Sequence, residues 1–288
     1  MSVDKLQELI RKTKNPSVVD LSVFADQLPP YLLETEGSYP KAYESFCRDM
    51  LLGLKGIVPA VRFSFSFFGL MGAEGMDLLP KLLKSAKDLG YYVLLDGPEA
   101  LSVTMAVHSA QKLALLPCDG IIVSAYIGSD GLKPYVKDLK EQKKTLFVIL
   151  RTANKTAAEL QDLMTGSRLV YMVGAHMTNH FGQSIVGKCG YSQVCGVAAA
   201  SSAESLRQIR SKYPGVFLLV DGYDYPSSNA KNCSFAFDRL GHGAAVCAGS
   251  SITEAWKEEN APENDFVASA VRAAEKMKKN LCRYTTIL

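Results

Sequence analysis

The chain has 288 residues, 48% hydrophobic and 21% charged, the balance of a soluble globular protein with room for two small domains or one large α/β barrel. Its 32 basic and 29 acidic residues leave a formal net charge of +3, too even to argue for nucleic acid or a membrane surface as partner. The start, MSVDKLQELIRKTKNP, has no apolar leader segment and no run of about 18 uncharged apolar residues follows, so a cytoplasmic, intracellular protein without a signal peptide is expected.

An amphipathic helix over residues 2–14 opens the chain. Short apolar runs then alternate with helical patterns, as in a parallel sheet. Val18–Leu21 is the first strand, with a helix around Tyr39–Leu54. Ile57–Phe63 is the second, followed by helix Glu74–Leu89 with Leu78, Leu79, Leu82 and Leu83 on one face. Tyr91–Leu95 is the third and Leu101–Leu115 its helix. Gly120–Ser124 is the fourth, with a helix from Leu132. Thr145–Leu150 is the fifth. A longer insert follows, and Arg168–Val186 is read as one helix, although its first residues look strand-like. Val194–Ala198 and helix Ser202–Tyr213, Val216–Val220, then Ala244–Cys247 complete eight strands, and a helix over about 264–281 ends the pattern. No linker or low-complexity tract interrupts it, so residues 1–288 read as a single (β/α)8 TIM barrel.

The seven cysteines are odd in number and form no CxxC, so they read as reduced, mostly buried thiols, with no zinc-site spacing. His176 and His180 are four apart, but HMTNH lacks the Glu of HExxH; a surface or packing role is expected for both, and a structural one for His108. Phe63, Phe65 and Phe67 alternate as if on one strand face, a core or interface cluster, and Trp256 reads as a packing anchor. No GxGxxG, Walker motif or nucleophile elbow occurs.

Barrels of this kind carry their chemistry at the C-terminal strand ends. The segments there are distinctive. Ile57-Val58-Pro59-Ala60-Val61-Arg62 with Phe67-Phe68-Gly69-Leu70-Met71-Gly72 resembles the second-strand segment of one family, the bacterial orotidine 5′-phosphate decarboxylases. Val123 through Pro134 resembles the fourth-strand loop, and Phe147 through Asn154 the fifth strand. Gly187 through Ser192 and Phe217 through Val220 continue in register, so the likeness runs from Val3 to about Leu281.

The resemblance implies decarboxylation of orotidine monophosphate without cofactor or metal, by alternating lysines and aspartates at strands two and three. This chain departs from that set. Arg62 stands for the first Lys, Asp96 is kept, Pro98 stands for the proton-donating Lys, and Leu101 for the Asp that serves the neighbouring subunit. Proline has no titratable group, and arginine is a poor proton donor. Among substrate contacts, Ser22 stands for the first-strand Asp, Met105 for a Thr, and Ser250 for the strand-eight Arg. Thr152 remains, Ser124 ends the fourth strand, and Gly222 lies in a loop where Asp221 and Asp224 face the place of the phosphate.

The losses cluster at one rim, while the kept similarity lies in the scaffold. The favoured expectation is a pseudoenzyme. It would be a structural, scaffolding or regulatory subunit that forms a homodimer or a complex with another protein through the dimer face of the family, with weak or absent UMP and OMP binding. The alternatives are a divergent decarboxylase or related lyase with altered substrate, and a non-catalytic sensor. Asp96, Glu99, Asp221 and Asp224 read either as a solvated, drifting rim or as an acidic pocket for a cation. Asp96 alone reads as a relic that caps a helix or pairs with Arg62.

Overall fold

A computed structural model describes every residue except Glu99, and every side chain except those of Glu99, Leu139 and Lys140. The strands are β1 (Ser17–Asp20), β2 (Ala60–Ser64), β3 (Tyr92–Asp96), β4 (Gly120–Ser124), β5 (Thr145–Ile149), β6 (Met164–Thr165), β7 (Arg168–Leu169), β8 (Val194–Ala199), β9 (Leu218–Asp221) and β10 (Ala244–Ala248). Eight of them close a barrel in the order β1-β10-β9-β8-β5-β4-β3-β2, with every neighbouring pair parallel, while β6 and β7 make a separate antiparallel hairpin. This is the expected TIM barrel.

The closure follows from the sequence. Each barrel strand is a run of four to six residues buried on both faces, which suits a sheet lined by side chains within and helices without. Period two then sorts the residues. Val18, Ala60, Tyr92, Leu94, Ile122, Phe147, Val197, Phe217, Leu219 and Cys247 fill the interior. The alternate residues, such as Val19, Val61, Val93 and Leu95, pack against the helices. The N-terminal helix Ser2–Thr13 closes the base with Val3, Leu6 and Ile10. Asp4 fastens it by accepting the backbone N–H of Cys189 at 2.8 Å. At the other end, β1, β3, β4, β5 and β9 are buried up to their last residue, which is half-buried. The mouth therefore begins at Asp20, Asp96, Ser124, Ile149 and Asp221.

Several local expectations are corrected. Strand two starts at Ala60 rather than Ile57, because Lys55–Val58 is taken up by a tight bridged turn before Pro59. Phe65 does not continue the strand. Ser64 accepts the Phe67 N–H at 3.4 Å and starts a helix, Phe65–Leu70, so the aromatics follow helical spacing. Phe63, Phe67 and Phe68 are buried with Tyr43, whose ring centroid lies 5.1 Å from that of Phe67, while Phe65 is half-buried. The insert is not one helix from Arg168. Gly166, at φ +62°, turns the β6–β7 hairpin, and the helix runs from Val170 to Gly182. The helices after β3 and β4 start at Val103 and Ser129.

Cys47, Cys118, Cys195, Cys233 and Cys247 are buried, Cys189 half-buried and Cys282 exposed, all as free thiols. His108, His176 and His180 lie exposed on helices, and Trp256 is buried. No helix among the described residues is long and apolar enough to cross a membrane.

Candidate functional site

Register places the chemistry. Asp20 pairs with Arg62 across β1 and β2, two residues above the inward-facing pair Val18 and Ala60. Asp96 lies two above Leu94, and Asp221 two above Leu219, so all four side chains enter the mouth. Arg62 is the only cationic residue on the eight barrel strands.

Its guanidinium is held from two sides. Nε donates to Asp20 Oδ2 at 3.0 Å, and Nη2 donates to the same oxygen. Nη1 donates to Asp221 Oδ1 at 2.9 Å. The group is 15% exposed, against 16% for Asp20 and 32% for Asp221. Burial works against the arginine charge, but the fields of Asp20 and Asp221, with smaller parts from Cys247 and Asp96, hold its pKa well above the ordinary value. Beneath it, burial pushes the Cys247 thiol well up despite Arg62, so the thiol stays protonated and is no nucleophile.

Asp224 is engaged elsewhere. Its Oδ2 accepts the backbone N–H of Gly249, at the start of the short helix Ser250–Thr253. Gly222 sits at φ +77°, and a Cβ there would lie 2.3 Å from Ala153 Cβ, so the turn out of β9 requires glycine. Thr152 donates its hydroxyl to Asn154 Oδ1 at 2.6 Å, and its own N–H goes to Gln161 Oε1 at 2.8 Å. Ser124 Oγ accepts the Tyr126 N–H at 3.2 Å.

The structure thus gathers Arg62, Asp96 and Asp221, adds Asp20, and leaves other expected residues outside. Ser22 is not the strand-one group. It lies past the end of β1, where its N–H donates to Asp20 Oδ1 at 3.0 Å while its buried hydroxyl has no partner. The missed residue is Asp20, and its signal was present: β1, β3 and β9 each end in Asp. Asp221 turns to Arg62, which Asp20 holds from its other side, while Asp96 acts on the guanidinium through its field. Pro98 is half-buried in the loop after β3, and Ser250 is exposed. Leu101 is 75% exposed and Met105 55%, both facing outward on the rim. Glu99 lies outside the described residues. No three His, Cys, Asp or Glu among the described residues come together as a metal site.

The sequence and the fold match a known group of proteins. Residues 73–264 match the family described as orotidine 5′-phosphate decarboxylase / HUMPS. The chain is 27% identical over 297 aligned residues to the orotidine 5′-phosphate decarboxylase of Caldicellulosiruptor saccharolyticus, covering 96% of this chain and 97% of that one. It is 29% identical over 286 residues to the enzyme of that name from Rhodopirellula baltica, covering 94% and 95%. The crystal structure of orotidine 5′-monophosphate decarboxylase from Plasmodium berghei shares the fold at a TM-score of 0.77 and 15% identity, over 98% of this chain and 99% of that one. The Leishmania donovani OMP decarboxylase does so at 0.69 and 21%, over 96% and 98%. With more than half of its length matched by the family and nearly all of it aligned to these relatives, the chain belongs to the orotidine 5′-phosphate decarboxylase / HUMPS family.

Proposed function

We propose that this chain is a family member without decarboxylase activity, acting as a structural, scaffolding or regulatory subunit that pairs through the rim of β3 and β4. The observation that carries this reading is Arg62, the one cation on the barrel strands, already bound by Asp20 and Asp221. Loss of CO₂ leaves a carbanion that needs a positioned proton donor with a pKa near the working pH. A guanidinium driven further up by two carboxylates is not such a donor. Pro98 cannot be one, and the Cys247 thiol lies buried beneath Arg62.

Phosphate binding is opposed as well. Barrels of this class commonly hold a phosphate between the loops after the seventh and eighth strands. Here those strands are β9 and β10, and the N–H of Gly249, just past β10, already serves the carboxylate of Asp224 in the loop after β9. An incoming dianion would lose that donor and meet a negative charge. UMP and OMP binding is accordingly weak or absent.

Exposed apolar side chains support the pairing reading. Leu101 and Tyr126 are 75% and 77% exposed, with Val103 and Met105 beside Leu101 in sequence and about half exposed. Such large apolar side chains on one rim suit an interface. Self-pairing or an unrelated partner fits better than pairing with an active relative, whose site would receive Leu101 in place of an aspartate.

A second reading, a divergent decarboxylase with altered substrate, is favoured by the near full-length similarity to proteins named as decarboxylases. Thermal denaturation with UMP separates the two. No change in Tm at millimolar UMP is expected, and a clear rise contradicts the proposal.

A further inference from the structure

The insert after β5 carries apolar surface that the barrel does not use. Leu160, Leu163 and Met164 are 49%, 52% and 64% exposed. The Gly166 turn brings β6 and β7 beside the helix Ala203–Lys212, and a groove of about 500 Å³ lies between them. Met164, Leu169 and Met172 supply its apolar lining.

The charges around that lining are one-sided. Arg168, Arg207 and Lys212 face a single carboxylate, Glu204. Arg207 lies with its guanidinium 3.6 Å from the Phe235 ring centroid and only 3.8 Å from Glu204, so it is fixed in place and weakly neutralised. Arg168 and Lys212 are exposed. An open groove with surplus positive charge attracts an anionic partner and speeds its encounter. Methionine side chains adapt to the shape of an apolar residue seated among them. Leu163 and Leu160, just before Met164 in the chain, are exposed as well, so apolar side chains are on offer beyond the groove's lining, which suits an extended segment of chain.

We propose that this groove docks an acidic segment of a partner protein. One large apolar side chain of that segment seats among Met164, Leu169 and Met172, with flanking carboxylates on Arg168 and Lys212. The lining includes none of Asp20, Arg62, Asp96 and Asp221, so the surface does not depend on whether the mouth is active.

Fluorescence polarisation with the full-length protein tests this. The probes are dye-labelled peptides rich in Glu and Asp around a central Leu, Met or Phe. Controls carry Lys for the acids or Ser for the apolar residues, and a single-stranded oligonucleotide serves as a further anionic probe. Acidic-apolar peptides should bind at least about tenfold more tightly than either control peptide, and Arg168→Glu with Lys212→Glu should erase that margin while Tm holds. Met164→Ser provides a second, uncharged variant, expected to weaken the same peptides. Equal affinity for the control peptides, no binding by any acidic-apolar peptide, a preference for the oligonucleotide, or indifference to both sets of variants would overturn the proposal.

Discussion

Replacing Arg62 by methionine removes the cation between Asp20 and Asp221 while keeping much of the side-chain volume. At 2.9 Å and an effective dielectric constant of about 20, the gross attraction of Arg62 to Asp221 is about 5–6 kcal/mol. Desolvation of the guanidinium offsets much of that in the intact protein. In the variant, that offset disappears with the arginine, but two carboxylates remain in the mouth without their cation. Breaking a buried pair costs about 3–5 kcal/mol, and the 32% exposure of Asp221 lowers this to about 2–4 kcal/mol. A chain of 288 residues unfolds with an entropy near 0.6 kcal/mol per degree, so Tm should fall by about 3–7 °C. Arg62→Met combined with Asp20→Asn and Asp221→Asn removes the cation together with both carboxylates that hold it and should recover most of that loss, since neutral replacements of buried ion clusters are often harmless. Calorimetry on the two variants measures both effects. An unchanged Tm for Arg62→Met, or a triple variant less stable than the single one, would refute the brace.

Three further outcomes follow from the geometry. Gly222→Ala must fit a Cβ at φ +77° and 2.3 Å from Ala153 Cβ, and should cost about 2–3 kcal/mol in denaturant unfolding. Asp4 has its pKa lowered to about 2; burial raises it, but the N-terminal amine and the Cys189 N–H together lower it by more. A depressed carboxyl pKa contributes stability that is present above about pH 4 and is lost as pH falls through about 2. Asp4→Asn should therefore lose about 1 kcal/mol at neutral pH after solvent screening, a gap that closes in acid. Finally, Leu101→Glu with Tyr126→Glu places charge on the exposed rim and should convert a dimer into monomers by light scattering, whereas an unchanged mass would remove the proposed pairing face.

The barrel was legible because its strands are short, apolar and buried on both faces, so run length and alternation with helices show them directly. The errors arose where one residue changes the geometry. Ser64 acts as a helix cap, which turned Phe65 from strand alternation to helical spacing, and Gly166 split an apparent helix into a hairpin and a helix. The site was half legible. Arg62, Asp96 and Asp221 stood out as strand-end charges, but Asp20 was passed over for Ser22, two residues further on. Asp20 and Arg62 are 42 residues apart, and Arg62 and Asp221 are 159 apart. Only closure of the barrel brings three strands within reach of one guanidinium, and alternation within a single strand carries no trace of that. The Asp224 contact with Gly249 depends likewise on the loops after β9 and β10 meeting across the rim.

The most direct test of the central claim is conversion of orotidine monophosphate by the purified protein, followed by loss of substrate absorbance and release of CO₂. With Arg62 bound between Asp20 and Asp221, and proline at position 98, the rate should not exceed that of buffer alone. Turnover that survives purification to homogeneity and disappears on Arg62→Met would contradict the account, because it would make this arginine part of a working decarboxylase.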